Sequence, residues 1–243
     1  MKIIIIKSNL KEGISAIMRA AGENQTLPIL KNALIEAAEN TIRLTATNLE
    51  IAITTIIPGK VIEAGRTTAP IALLGDVITN LQSERLNIET KNNALEIKTD
   101  NYTADLQTIT ADEFPIIPKI KNTPKHLTLG GGVLREALTQ TTASAQFSEL
   151  RPELSSVFLS FSLDHLKLAA TDSFRLSQKI ISKNHLNTNH TEPFKILLPL
   201  KTAQEIIRVV RDGDEVAITH DATQIAVTTE RTAIISRLID GAF

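Results

Sequence analysis

The stretch LGGGVLREAL, residues 129–138, sets three glycines ahead of a helical pattern, the arrangement in which backbone N–H groups at a helix N-terminus take a phosphate. It has neither the lysine and hydroxyl of a Walker loop nor the spacing of a dinucleotide fingerprint. A flexible entry to a helix is therefore expected there. His185 and His190 lie five positions apart in a polar loop, with Glu192 as the nearby carboxylate. That is not the i,i+4 spacing of helical zinc pairs, so solvated loop histidines are expected. His126, His165 and His220 fall near predicted strand ends and connections, with no serine or cysteine nucleophile arranged beside them. The sequons beginning at Asn24, Asn101 and Asn189 match the glycosylation pattern, but a chain without a signal peptide does not meet that machinery. No catalytic residue, metal or cofactor is assigned. A hydrolase built on the scattered Asp, Glu and His residues would need converging carboxylates in a deep pocket.

The remaining candidate chemistry is charge on helical faces. Lys11, Arg19, Arg135, Lys201, Arg208 and Arg211 occupy outward positions of predicted helices, interleaved with Glu12, Asp76, Glu136 and Glu205. Taken singly, each is an ordinary solvated residue with i,i+3 or i,i+4 partners.

A length of 243 residues exceeds one average domain and falls short of three, so two are expected. Aromatic residues make up only 3% and tryptophan is absent, which leaves Ile, Leu, Val and Ala to build the cores. The formal net charge of −1 shows no overall basic excess, while leaving locally basic faces open. Without cysteine there are no disulfides or thiolate metal sites. The four isoleucines before Lys7 are too few for a secretory signal, and no apolar run approaches the roughly 18 residues of a membrane span. A soluble cytoplasmic protein is the expectation.

The elements that carry these side chains come in two copies. LTATNLEIAIT (44–54) and LAATDSFRLSQ (168–178) share one pattern, with Thr47 and Thr171 124 positions apart. The same offset pairs Pro28 with Pro152 and Leu10-Lys11-Glu12 with Leu134-Arg135-Glu136; later it becomes 129, pairing Pro70 with Pro199 and Phe114 with Phe243. The polar stretch SKNHLNTNHTE (182–192) reads as a loop that absorbs the difference. Within a copy, Leu10, Ile14, Ile17, Met18 and Ala21 share a helical face, with Ser8 or Asn9 as N-cap and Gly22 past the end. A second helix runs from Pro70 to about Leu81 with Leu74, Val77, Ile78 and Leu81 inward. KIIII, NALIEAA, TIRLTAT, EIAITTII, KVIEAGRTT, RLNIET, ALEIKTD and YTADLQTIT read as strands. In the second copy helices are expected over about 133–145 and 199–210, the latter with Leu200, Ala203, Ile206, Ile207 and Val210 inward. Thr-Asn and Thr-Asp sit at hairpin corners, where an Asx side chain bonds its own backbone. PIIPKIKNTPK (115–125) connects the copies.

Five stretches, TLPILKNALIEA, LTATNLEIAI, ADEFPIIP, LAATDSFRLS and AIISRLIDGAF, together resemble the bacterial sliding clamps, the beta subunits of DNA polymerase III, in that family's order and spacing and over essentially the whole chain. The resemblance implies an α+β fold, the DNA-clamp fold: two tandem repeats, each a doubled β-α-β-β-β, with helices on one side and antiparallel sheets on the other. It implies a first domain over 1–118 and a second over 119–243, with the family's third domain absent beyond Phe243.

The resemblance also implies a function. Family members form a closed ring around duplex DNA, so this chain is expected to act in DNA replication as a non-catalytic processivity factor. It would bind double-stranded DNA without sequence preference and form a homo-oligomeric ring when the third domain is supplied. Lys11, Arg19, Arg135, Lys201, Arg208 and Arg211 would face DNA, as would Asn24, which replaces an arginine of the family. Leu154, Thr171, Ser173, Phe174, Arg175 and Leu176 match the family's peptide cleft for DNA polymerase, clamp loader and repair proteins, with Ser173-Phe174 standing where Gly-His is usual. An isolated peptide-binding module that competes for clamp partners without encircling DNA is the alternative.

Overall fold

The computed structural model describes residues 1–22, 26–118, 120 and 126–241. It divides into two units, Met1–Ile117 and Pro118–Phe243. In the first, Lys2–Ile6 (β1) runs directly into Lys7–Ile17 (α1), followed by Asn32–Ala38 (β2), Thr41–Thr47 (β3), Ile51–Pro58 (β4), Lys60–Glu63 (β5), Gly65–Pro70 (β6), Ile71–Asn80 (α2), Arg85–Lys91 (β7), Ala94–Lys98 (β8) and Thr103–Gln107 (β9). The second repeats this order: Leu127–Gly130 (β10), Gly131–Thr142 (α3), Ser156–Ser162 (β11), His165–Thr171 (β12), Leu176–Ser182 (β13), Leu186–Thr188 (β14), Phe194–Pro199 (β15), Leu200–Val209 (α4), Glu215–His220 (β16), Gln224–Thr228 (β17) and Thr232–Arg237 (β18).

Within the first unit the antiparallel neighbours run β5-β1-β7-β8-β9 and β4-β3-β2-β6. Within the second they run β14-β10-β16-β17-β18 and β13-β12-β11-β15. Helices pack in pairs and against sheet. Gly13 of α1 leaves room for Leu44 and Ile57 of the sheet, and Gly75 of α2 leaves room for the Met18 methyl group. Buried Leu10, Ile14, Ile17, Leu74 and Ile78 fill the space between. Ile29, Leu30 and Phe114, with Leu34, Ile109 and Ile117 around them, close the end of the first unit.

The repeat extends to individual hydrogen bonds. Lys7 N–H donates to the Glu84 carbonyl at 2.7 Å, and Gly131 N–H to the Asp214 carbonyl at 2.7 Å. Gly22 N–H donates to Leu30 O at 2.9 Å, and Gln146 N–H to Leu154 O at 3.2 Å. The expected offset of 129 needs one correction. The register pairs Asn87 with Lys98 and Ala217 with Thr228, each 130 positions apart, because the connection after α4 is one residue longer than that after α2. Phe243 lies outside the described residues.

Other local expectations change too. The first helix starts at Lys7, capped by Ile6 without a side-chain cap, because the Glu84 carbonyl already takes the Lys7 N–H. Ser8 and Asn9 therefore lie inside the first turn. The helix ends at Ile17 in a 3-10 turn, Met18–Ala20, and Met18 is exposed. KVIEAGRTT is two strands, β5 and β6, in different sheets. The 182–192 stretch is not all loop, since β14 pairs with β10 as β5 pairs with β1. His190 is half-buried instead of freely solvated: its ring lies 4.9 Å from Phe194 and parallel to His220 within 2°, in a cluster with Phe161. On α4, Glu205 is buried although the pattern put it outward.

The glycines ahead of α3 are packed, not flexible. Gly131 and Gly132 are already helical, and the Gly132 N–H donates to the Asp212 carbonyl at 3.3 Å. A Cβ on Gly131 would run into the Arg211 carbonyl and come within 2.9 Å of Val210 Cγ1. Two of the donors that a phosphate would need, the Gly131 and Gly132 N–H groups, are taken by the chain's own carbonyls.

Candidate functional site

On α1, Lys11 is exposed, and Arg19 is exposed on the 3-10 turn that follows. Asn24 lies outside the described residues. The exposed positions of α2, including Leu73 and Asp76, carry no cation. In the second unit two of the arginines are held internally. Arg135 Nε donates to the Ile207 carbonyl at 3.1 Å, and its guanidinium pairs with Asp212. This ties α3 to the C-terminal end of α4, where helix carbonyls lack partners and cations are favoured. Arg208 places Nε and Nη2 at 2.8 and 2.6 Å from Glu205 Oε2, which explains how Glu205 is buried at little cost. Arg211 is exposed just beyond the helix, its N–H bound to Asp214 Oδ2 at 2.8 Å. Lys201 is exposed in the first turn of α4, with its ammonium 5.9 Å from the Phe147 ring centre. Arg135, Arg208 and Arg211 thus gather at one end of α4 with Glu205 and Asp212 among them. Lys201 stands at the other end.

The second candidate region is the corner between β12 and β13. Thr171 Oγ1 donates to the Arg175 carbonyl at 2.7 Å and accepts the Ser173 N–H at 3.1 Å. Asp172 Oδ1 accepts the N–H groups of Phe174 and Arg175 at 3.0 and 2.9 Å, and its Oδ2 accepts Arg175 Nε at 3.0 Å. These bonds, the Arg175 N–H first, hold the Asp172 carboxyl below the ordinary carboxylate range. Ser173 has φ +77°, in the left-handed region that glycine enters without cost; this accounts for the glycine usual in the resembling family. The corner between β3 and β4 is built identically. Thr47 Oγ1 donates to Ile51 O at 2.9 Å, Asn48 Oδ1 accepts the N–H groups of Glu50 and Ile51, and Leu49 has φ +75°.

The two corners differ in what they present. Ile51 and Ala52 are buried, whereas Phe174 is 95% exposed and Leu176 62% exposed. Leu154, half-buried, sits on the 3-10 turn Pro152–Ser155. Arg151 brings that turn to the corner: its Nε donates to Glu153 Oε1 at 3.0 Å and its Nη1 to Ser173 Oγ at 3.3 Å. Arg151 had no place among the sequence-derived site residues, and only its repeat partner, the apolar Leu27, hinted that this position had diverged.

A cleft of about 840 Å³ in the second unit, between Phe158, Lys195–Leu197, Ala222–Gln224 and Arg237–Gly241, holds a single carboxylate, Asp240. Another of about 400 Å³ in the first unit holds only Asp76. Among the described residues no three His, Cys, Asp or Glu side chains come together as a metal site, and no helix is long and apolar enough to cross a membrane.

Residues 1–118 match the family model for the N-terminal domain of the DNA polymerase III beta subunit, and residues 128–243 match that for its central domain. The chain is 27% identical over 246 residues to the beta sliding clamp of Chlamydia muridarum and 29% identical over 249 residues to that of Synechococcus elongatus, in each case covering 100% of this chain and 66% of the relative. The chain thus spans about two thirds of the length of these relatives. Among solved structures, a DNA polymerase III beta subunit from Eubacterium rectale superposes with a TM-score of 0.90 at 26% identity, covering 100% of this chain and 66% of that one. The Bacillus subtilis clamp superposes with a TM-score of 0.93 at 24% identity over the same shares, a likeness of fold.

Proposed function

Because the chain belongs to the family of DNA polymerase III beta subunits, the beta sliding clamps, we propose that it supplies the DNA-enclosing and partner-docking portion of a non-catalytic processivity factor working in the cytoplasm. A ring that encloses duplex DNA is held by topology. Its lining then needs only weak attraction to phosphates, without base contacts. Lys11, Arg19, Lys201 and Arg211 take that role, together with Asn24. Arg135 and Arg208 add positive potential while fastening helices, and Glu205 and Asp212 moderate it, which keeps contacts short-lived enough for sliding. With a third domain supplied, the assembly is a homo-oligomeric ring.

The observation that carries this reading is the duplication of one helix-on-sheet scaffold, matched in several backbone and corner hydrogen bonds, with outward cations on or just beyond its helices. A second role is peptide docking at Leu154, Thr171, Ser173, Phe174, Arg175 and Leu176. The Helicobacter pylori beta clamp is known bound to a DNA ligase peptide, and short peptides of DNA polymerase, clamp loader and repair proteins are the partner class proposed here. An isolated peptide-binding module that competes for clamp partners without encircling DNA is the second reading, favoured by the exposure of Phe174 and Leu176 at the corner between β12 and β13.

The two separate in one experiment. The chain, alone and with a sliding-clamp third domain joined after Phe243, is mixed with closed circular plasmid, resolved by gel filtration before and after linearisation, and its mass in solution is measured. Retention on circles with loss from linear DNA supports enclosure. A monomer that ignores DNA topology but binds the ligase peptide supports the module.

A further inference from the structure

The cleft beside β15 and β18 is separate from the corner between β12 and β13: none of Leu154, Thr171 or residues 173–176 lines it. It lies on the side of the sheets turned away from α3 and α4. Thr202 of α4 bonds Ser236 at 2.7 Å, so strand alternation sends the next side chain, Arg237, to the opposite face. On β11 the same alternation sets half-buried Phe158 against buried Val157 and Leu159, and the register pairs Phe158 with Leu197.

The first unit shows how the charge of this cleft differs from that of its copy. Arg66 of β6, the repeat partner of Lys195 at the offset of 129, lies opposite Glu36 and forms an ion pair with Asp112. Lys195 lies opposite Ser160 instead, and the same offset puts Gly241 at the place of Asp112. At the offset of 130, neutral Gln107 of β9 is replaced by Arg237, which lies opposite Gln224. Two acids are gone and one cation is added. Lys195 and Arg237 are exposed, and among the described residues neither side chain has an ion-pair or hydrogen-bond partner. Two unpaired cations on one cleft attract an anion.

The rest of the lining defines that anion further. Gln224 is held in place by Asp221, whose Oδ1 accepts its N–H at 2.8 Å and whose own N–H donates to its carbonyl at 2.9 Å. Gln224 Oε1 is buried and accepts no hydrogen bond, a cost that an N–H donor of a ligand removes. Phe158, Leu197 and Ile239 give an apolar wall, suited to a flat ring. The volume of about 840 Å³ falls among small-molecule sites, about 300–1,000 Å³. An acid group, a flat ring and an N–H donor together are the chemistry of a nucleotide.

We propose that this cleft binds a free nucleotide whose base carries an amino group. Lys195 and Arg237 take the phosphate, the ring lies along Phe158, and Gln224 Oε1 accepts from the amino group. The face is the one away from the helices that bear the outward cations, so the ligand is a free nucleotide and not the enclosed DNA. The site stands independently of peptide docking.

Isothermal titration calorimetry of the full chain tests it with AMP, purine riboside 5′-phosphate, adenosine, inorganic phosphate and an oligothymidine. AMP should bind at least tenfold tighter than adenosine or phosphate. Lys195→Gln and Arg237→Gln should each weaken AMP about tenfold, with Tm unchanged because neither side chain is paired. Gln224→Leu should weaken AMP and leave purine riboside 5′-phosphate, which lacks the amino group, as it was. Lys201→Gln, outside the cleft, should change none of these. No binding of AMP to the parent, or binding that survives both cation substitutions, overturns the inference. Phosphate binding as tightly as AMP reduces the cleft to its charges and also overturns it. An oligothymidine that binds tenfold tighter than AMP, with the same losses in the variants, reassigns the cleft to a nucleic-acid strand. Binding seen only after removal of Ala242 and Phe243 assigns the cleft to the chain's own end. Either result overturns the free-nucleotide site.

Discussion

The three glycines at the start of α3 give a test with internal controls, because one methyl group has a different expected effect at each. At Gly131 a Cβ meets the Arg211 carbonyl head-on, Val210 Cγ1 at 2.9 Å and the Asp214 carbonyl at 3.1 Å. Two of these are backbone groups that cannot rotate away. Overpacking of this kind costs about 1–3 kcal/mol. Displacing the chain also stretches the 2.7 Å bond from Gly131 N–H to Asp214 O, for about 1 kcal/mol more. Better helix propensity returns at most about 1 kcal/mol. Gly131→Ala should therefore lose about 3 kcal/mol, the upper end because the obstacles are rigid, which for a chain of this size lowers Tm by about 6–12 °C. At Gly132 the nearest atoms belong to Asp212 at 3.5–3.6 Å, ordinary contact, so Gly132→Ala gains about 0.5–1 kcal/mol. At Gly130 the nearest atom is Val133 Cγ2 at 3.9 Å, with φ −68° and ψ 139° open to any residue, so Gly130→Ala is neutral or slightly stabilising. Differential scanning calorimetry of the three variants reads the order directly. If Gly131→Ala is as stable as Gly132→Ala, the packed-entry account is wrong; a Tm rise with inorganic phosphate beyond that of chloride at equal ionic strength would restore the anion site.

Two more predictions concern charge. The Asp172 carboxyl titrates below its ordinary range in the folded chain, so its contribution to stability is present above the unfolded value near pH 4 and is lost as pH falls through the folded value; Asp172→Asn, which copies Asn48 but gives up the Arg175 ion pair, should have a slightly lower Tm than the parent at pH 7 and lose less on acidification to pH 3. Arg135→Gln should lower Tm by removing the α3–α4 fastening and reduce the logarithmic salt slope of DNA binding by less than Lys201→Gln, which should leave stability within about 0.5 kcal/mol of the parent and reduce that slope by about 0.9.

Most of the architecture was legible because a duplicated sequence checks itself: a strand or helix pattern seen at Leu10 is tested again at Leu134 and at Ile71 and Leu200. What escaped was decided by groups far apart in sequence. The start of α1 at Lys7 depends on the Glu84 carbonyl, and the helical state of Gly131 on Asp214, neither of which local cap preferences reveal. Glu205 looked like an outward acid by periodicity alone, and only its pairing with Arg208 makes burial tolerable. The Phe161–His190–Phe194–His220 cluster assembles from β11, the connection after β14, β15 and β16, a convergence with no short-range signature. In the candidate site, the corner bonds were readable from Thr-Asp, while the role of Arg151 was not, since it depends on a loop reaching the Ser173 hydroxyl.

The two corners show which part of a repeated motif resists change. The Thr and Asx side chains are kept because they satisfy backbone groups at a bend that forces the next residue to positive φ, and removing either would leave N–H groups of the turn without acceptors. The residues those bonds position are under no such constraint. Leu49, Ile51 and Ala52 became Ser173, Arg175 and Leu176, and Glu50 became Phe174, with the hydrogen bonds of the bend unchanged. One copy thus leads from an exposed bend into a strand whose Ile51 and Ala52 are buried, while the other turned the same backbone into a mount for an exposed ring and two arginines. Partner selectivity can then evolve by substitution at the mounted positions without a stability cost to the bend, which is why Phe174→Ala is expected to alter peptide affinity and leave folding untouched.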